Sequence, residues 1–491
     1  MTRTLIQGGW IVGFQDGHHA VLRDGVLVYE DDRILYVGPS FAGAVDAVIP
    51  AAGKLVAPGL VNIHALANID IQTLVLDTSE EGLASSEGYA VSGEGSPELG
   101  EEQMRAGARF SLLQLLKGGS TTIVEITTMA PSRFETPRCE APLLAEAAGE
   151  LGARLYVSHK FRAGKRYMDG DGIFRYHWDP EAADAALGYA EEIVQRYEGT
   201  HDGRIRTMIF PYQFDACTPE LLAAAKEAAR RLGVPMHLHT AQSLFEFHDC
   251  LRRYGKTPVQ VLEGLGVLDE RTILAHLIYT TLHEASGFPQ GDAGDLRIVA
   301  ASGASVAHCP VVYARRDRIL GSFARYRELG INVGLGTDTY PQDMIEEMRW
   351  AALGCKWIDR DANRGTARDV FNAATLGGAR ALGRSDIGRL APGAKADILI
   401  VDLHRLHCGV VDDPIKTLVY AADGGDVETV IVDGRIVLAG GTAPGVDEVA
   451  LMTAVRDAHR WQGARLAAQN PSGKPFDMLF PSSYPVVEAA A

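Results

Sequence analysis

Hydrophobic and polar positions follow three different rhythms along this chain. Over residues 1–56 the apolar stretches are short and alternate with polar positions: Thr4–Ile6, Gly25–Tyr29 and Arg33–Val37, with Asp16-Gly17, Asp24-Gly25 and Asp31-Asp32 between them. Period-two alternation punctuated by such pairs predicts a meander of strands. Over residues 57–387 apolar runs alternate with helical patterns. The candidate strands are Leu60–Ile63, Thr121–Ile126, Arg154–Ser158, Thr207–Phe210, Met236–His239, Thr272–Ala275, Ser305–Ala307 and Asn332–Leu335. Helix-patterned stretches such as Glu101–Leu116, Pro219–Leu232 and Ile345–Leu353 intervene. Eight strands separated by helices predict an α/β protein built on a closed parallel (β/α)8 TIM-like barrel.

The third rhythm returns to strands over residues 388–450, with Ala396–Asp402 and Val427–Val437 joined by tight turns. Its grammar matches the N-terminal zone, so both chain ends are expected to form one small flanking β-sandwich. Residues 451–491 are expected to form a helix starting near Ala458 and then an arm. That arm would lie on the barrel or on a neighbouring subunit of a homo-oligomer, a dimer or larger.

Composition narrows the classes. The chain has 491 residues, 46% apolar and 22% charged, with a net charge of −16. Such a charge argues against nonspecific attraction to nucleic acid or to an anionic membrane. Met1–Gly9 lacks a long apolar signal segment, and no run approaches the about 18 apolar residues of a membrane span. The six cysteines (Cys139, Cys217, Cys250, Cys309, Cys355, Cys408) form no CxxC pair. Scattered thiols in a long chain point to a reduced, cytoplasmic protein rather than a disulfide framework or a thiolate zinc site.

The candidate chemistry sits where strands end. In a barrel of this kind the reacting groups come from the C-terminal ends of several strands. Four predicted strands end in a metal-ligand residue type: His64 after the first, His239 after the fifth, His276 after the sixth and Asp338 after the eighth. Each alone is ordinary, since a strand-end histidine is commonly just a satisfied polar group and Gly336-Thr337-Asp338 can be a plain turn. Their convergence on one end of a barrel predicts a hydrolytic metal site with room for water.

The motifs that carry these residues are Pro58-Gly59-Leu60-Val61-Asn62-Ile63-His64, Met236-His237-Leu238-His239, Leu274-Ala275-His276, Val306-Ala307-His308-Cys309-Pro310 and Leu335-Gly336-Thr337-Asp338. Ala373–Gly383 and Gly388–Asp397 follow them. In order and spacing the set resembles the amidohydrolase superfamily, and more narrowly its triazine-hydrolase and cytosine-deaminase-like branch. The resemblance runs from about residue 4 to 440. It implies a barrel with a small flanking sandwich and one divalent metal ion per subunit, zinc first, with cobalt, manganese or iron also compatible. The implied ligands are His64, His239 and Asp338, with His276 touching the water or substrate.

Three departures from that pattern shape the functional expectation. Position 66 is Leu where the branch has a second histidine. Asn68, four residues after His64, is expected to supply its amide oxygen instead, an arrangement that resembles the phenylurea and molinate hydrolases. Position 242 is Gln where a glutamate usually protonates a ring nitrogen; Glu246, one helical turn on, is a weaker substitute. The polar pair after His-Cys-Pro is replaced by Val311-Val312-Tyr313, which implies an apolar pocket wall. His308, Tyr212, Tyr279 and Tyr313 are the expected lining, and the substrate a small apolar or aromatic molecule. Phe161 and Tyr340 flank other strand ends, and His237 is expected one layer below His239. The fourth strand ends in Phe210-Pro211-Tyr212 rather than in a bridging lysine, so one metal rather than two is expected despite Lys160.

The expected activity is therefore metal-dependent hydrolysis. Metal-bound water attacks a carbonyl carbon and cleaves a non-peptide C–N, or C–S, bond of an amide, urea or (thio)carbamate. Asp338 takes the proton, and His276 and Gln242 steady the oxyanion. Two alternatives stay open: a deaminase or dechlorinase acting on a heteroaromatic ring, and a metal-free barrel serving as a scaffold.

Overall fold

The computed structural model describes residues 2–66, 76–79, 100–126, 138–168, 174–316, 318–468, 473–485 and 487. At the N-terminal end, the strands Trp10–Gln15 and His18–Arg23 pair antiparallel around Asp16 and Gly17, both at positive φ. That two-residue turn matches the right-handed twist of the strands it joins, and Asp-Gly tolerates it.

Two sheets flank the centre of the molecule. One has four strands, in the order Arg33–Gly38, Val26–Glu30, Arg3–Gln7, Ala47–Pro50. The other has six: Arg435–Leu438, Val427–Val432, Ile398–Val401, Leu55–Pro58, Trp10–Gln15, His18–Arg23. Within it Ile398–Val401 runs antiparallel to Leu55–Pro58, so the two ends of the chain share one sheet. Ile6, Leu27 and Ile34 of the smaller sheet pack with Ile11, Val56, Ile398 and Ile431 of the larger in one apolar cluster.

Leu55–Pro58 leads into Leu60–Ala65 across the single residue Gly59. A Cβ there would lie 2.0 Å from Thr121 Oγ1, so only glycine lets the chain pass so close to the next strand. Leu60–Ala65 begins a four-stranded parallel sheet with Ser120–Glu125, Arg154–Val157 and Ile205–Thr207. Met236–Thr240, Thr272–His276, Ser305–His308 and Asn332–Leu335 form a second. Seven of these strands fall on the expected runs, while the fourth, Ile205–Thr207, ends where the expected Thr207–Phe210 begins. Helices such as Glu101–Lys117, Glu140–Leu151 and Pro219–Leu232 separate the strands. Isolated bridges, Ala65 to Asp338 and Ile209 to Met236, link the two sheets at both seams. Nearly every strand residue is buried, as expected of parallel strands covered on both faces.

Arg154 ties the first parallel sheet to the flanking strands. Its guanidinium donates to Asp397 at 3.0 and 3.1 Å and to Asp433 at 2.7 Å, with all three side chains buried. The last long helix is Glu448–Ala468, which begins ten residues before the expected start. Asp447 caps it by accepting from Ala450 N, and Lys117 pairs with Glu448. The Asp-Glu pair was the overlooked start signal. Among the described residues no helix is long and apolar enough to cross a membrane.

Candidate metal centre and active site

His64 and Asp338 meet because the first and eighth parallel strands are pinned together at their C-terminal ends. Asp338 N donates to His64 O and Leu66 N to Asp338 O, both at 2.8 Å. Gly336 allows this approach, since a Cβ there would lie 2.7 Å from His64 Cβ and from His64 O. Asn62 completes the clamp: its Oδ1 accepts from His64 N and Thr337 N, and its amide donates to Thr337 Oγ1 at 2.9 Å. Gln342 then bonds Thr337 Oγ1 and Leu66 O. The result is His64 Nε2 at 3.5 Å from Asp338 Oδ2.

His276 ends its strand at φ 76, with Leu277 at 47 and Asp338 at 55. Side chains rarely adopt that region, and strain of this kind gathers at functional sites. The turn aims His276 Nε2 at the same Asp338 oxygen, again at 3.5 Å. Four donor atoms, from His64, His276, Cys309 and Asp338, lie within 4.8 Å of one another, and all four residues are buried. His64 Nε2 and both ring nitrogens of His276 have no hydrogen-bond partner. Leaving a buried polar atom unsatisfied costs about 1–3 kcal/mol. A divalent cation among these nitrogens and the carboxylate would satisfy them together, so the residues fit a metal ion.

His239 faces the same space. Its Nδ1 donates to Tyr212 O at 2.5 Å, which leaves Nε2 as the free lone pair. Its ring centroid lies 4.9 Å from that of His64 and 5.3 Å from that of His276. Burial, and then the adjacent His64, push its imidazolium down to about 3, so the ring is neutral and able to ligate. His237 sits one layer below, as the strand periodicity predicts. Its ring stacks on His64, with Nε2 at 3.2 Å from His64 Nδ1 and 3.2 Å from Ile63 O. Ile63 O can only accept, so a proton on His237 Nε2 serves that carbonyl, while His64 Nε2 stays without a hydrogen-bond partner. Asn68 lies outside the described residues.

Gln242 follows His239 on a turn where Ala241 has φ 52. Its Oε1 accepts from the Tyr313 hydroxyl at 3.3 Å, and the Tyr313 ring packs on His276 with centroids 4.6 Å apart. Glu246 is engaged beneath that turn: its carboxylate accepts from Ala241 N at 2.6 Å and Gln242 N at 3.1 Å. Burial pushes its pKa well above the ordinary carboxylate range, disfavouring the ionised form. Tyr313, Tyr279, Ile278, Val312, Cys309 and Phe247 form one buried apolar cluster beside the four-donor group. Tyr212 packs against His239 at 5.3 Å.

His308, expected on the pocket wall, stacks instead on Phe323 at 6.1 Å. The alternation of its strand explains this. Val306 joins the apolar cluster that contains Phe323, and Ala307 the one that contains Ile63 and Phe210, so His308 turns the same way as Val306. The residue the strand delivers to the metal centre is the next one, Cys309. Sequence reasoning also missed Asn62, although a polar residue in a buried apolar strand was a visible signal. It missed Glu347 as well, a buried carboxylate that accepts from Val311 N at 3.1 Å and fixes the turn after Cys309.

The Amidohydrolase family model matches residues 55–437. The chain belongs to the amidohydrolase family. A 5-methylthioadenosine/S-adenosylhomocysteine deaminase of Moorella thermoacetica is 32% identical to this amidohydrolase over 444 residues, covering 87% of it and 92% of that relative. A 5'-deoxyadenosine deaminase of Methanosarcina mazei is 30% identical over 423 residues, covering 85% and 88%. Among solved structures, an adenosine deaminase from Xanthomonas campestris with bound zinc superposes with a TM-score of 0.77 at 24% identity, covering 94% of this chain and 99% of that one. The atrazine chlorohydrolase of Arthrobacter aurescens complexed with zinc gives 0.77 at 23%, covering 93% and 100%. Family and structural likeness together give this amidohydrolase a TIM-barrel fold, and it is a metal-dependent hydrolase acting on C–N bonds.

Proposed function

We propose that this amidohydrolase cleaves the C–N bond of an open-chain amide, urea or carbamate carbonyl on a small apolar or aromatic molecule. The observation that carries the proposal is Gln242. Attack on a heteroaromatic ring calls for an acid that protonates a ring nitrogen, and Gln242 has no proton to transfer. The nearest carboxylate on the same segment, Glu246, is engaged with the Ala241 and Gln242 amides. An open-chain carbonyl needs only a donor at its oxygen. With Gln242 Oε1 accepting from Tyr313, its NH2 is left to donate into the pocket.

His64, His239 and Asp338 would hold the cation, with His276 beside them. A divalent ion bound there supplies a Lewis acid and lowers the pKa of water toward neutrality. Asp338, 3.5 Å from both His64 and His276, accepts the water's proton as the carbonyl carbon is attacked. The Gln242 amide and His276 donate to the developing oxyanion. Protonated Asp338 returns the proton to the departing nitrogen. Tyr279, Ile278 and Val312 pack with Cys309 and Tyr313 as an apolar cluster beside these groups.

A second reading, deamination of a purine nucleoside, is supported by the deaminase relatives at 30–32% identity. A panel of anilides, phenylureas, carbamates and 5'-methylthioadenosine separates the two. Release of an organic amine supports the first reading; ammonia from the nucleoside alone supports the second.

A further inference from the structure

We propose that Cys309 is a ligand of the metal ion, its thiolate joining His64, His239 and Asp338, with His276 beside them. The inference rests on the metal centre described above and adds a sulfur donor to it. Its basis is position. Cys309 Sγ is one of four donor atoms lying within 4.8 Å of one another. The other three are an acidic side chain and two histidines whose inward nitrogens are buried without a partner. Cys309 itself is 1% exposed.

The backbone around Cys309 holds it there. The strand Ser305–His308 pairs along its whole length with Asn332–Leu335, and Gly336 N donates to His308 O. Pro310 starts the following helix, and Glu347 fixes Val311 N. These contacts fix the Cys309 backbone beside the His64–His276–Asp338 group.

Beside His64, His239 and Asp338 there is room for one further donor. Position 66 holds Leu, whose side chain offers no lone pair. A catalytic site of this class uses about three or four protein donors and keeps one position for water. A thiolate among imidazoles and one carboxylate gives a donor set suited to zinc or cobalt rather than to magnesium, calcium or manganese. Binding then releases the thiol proton to solvent, so loading takes up one cation and expels one proton from Cys309.

The test is cobalt(II) spectroscopy on the full-length protein. After chelation and dialysis, the protein is titrated with cobalt(II) alone. The expected spectrum combines visible d–d bands with a near-ultraviolet sulfur-to-cobalt charge-transfer band, saturating together. In Cys309→Ser the d–d bands should persist and the charge-transfer band should vanish. Bound cobalt without that band, or a band that survives in Cys309→Ser, overturns the sulfur ligand and leaves the metal centre standing. Failure to bind cobalt at all overturns both. Should Cys309→Ser not fold, X-ray absorption of the zinc-loaded native protein decides. A sulfur scatterer at about 2.3 Å supports the inference, and a shell of nitrogen and oxygen alone refutes it.

Discussion

The Tyr313 hydroxyl donates to Gln242 Oε1 while the Tyr313 ring rests on His276. One side chain thus sets the orientation of a neutral amide and packs the histidine that points at Asp338. Gln242→Ala should lower kcat on an anilide or phenylurea by roughly 10²–10³-fold, the usual loss when one oxyanion donor is removed. The fold should be unchanged by circular dichroism. Gln242→Glu should not rescue it, because a carboxylate at that position cannot donate while ionised.

Tyr313→Phe keeps the ring on His276 and removes only the bond to Gln242. Loss of one neutral hydrogen bond is worth about 1 kcal/mol, so kcat/KM should fall roughly fivefold. Steady-state kinetics on the same substrate measures it, and an unchanged value would remove Tyr313 from the account.

Asp338→Ala should depress turnover by roughly 10²–10⁴-fold, the range for a lost general base, with greater loss if metal occupancy also falls. Measuring metal content beside kcat separates the two contributions.

Gly336→Ala probes the clamp. A methyl group 2.7 Å from His64 Cβ must push the first and eighth strands apart where His64 and Asp338 meet. Activity and metal affinity should both decline, and metal titration of the variant reads the second directly.

Arg154→Ala would leave Asp397 and Asp433 buried without their cation, at a cost of roughly 3–5 kcal/mol. Chemical denaturation should show it. The pH dependence has a definite sign. Burial opposes ionisation of Asp433, but Arg154 and Lys395 override it and hold its carboxyl below the ordinary value. A depressed folded value means its stabilisation is whole above the unfolded pKa of about 3.9 and is lost as pH falls below that. In Arg154→Ala this acid-side loss should shrink.

Seven of the eight parallel strands were legible because each is a short apolar run bounded by turn residues; the fourth, Ile205–Thr207, was expected two residues too late. His64, His239, His276 and Asp338 were legible because each closes such a run. Cys309 was not, because periodicity alone does not say which of His308 and Cys309 faces inward. That choice depends on Phe323 packing against the outer face of the strand. The Asn62–Thr337–Gln342 clamp joins residues some 275 positions apart, a pairing that no local pattern carries. The start of Glu448–Ala468 was misplaced because its cap, Asp447, fell inside the zone of residues 388–450 assigned to strands.

The central claim is that His64, His239, His276 and Asp338 form a working divalent metal site. Metal analysis of the purified protein, paired with the His64→Ala and Asp338→Ala variants, tests it most directly. The account predicts about one divalent ion per chain in the native protein. It also predicts loss of activity on chelation, recovery with zinc or cobalt, and weakened binding in both variants. A native protein that holds no divalent ion, or hydrolyses its substrate equally well after chelation, would contradict it.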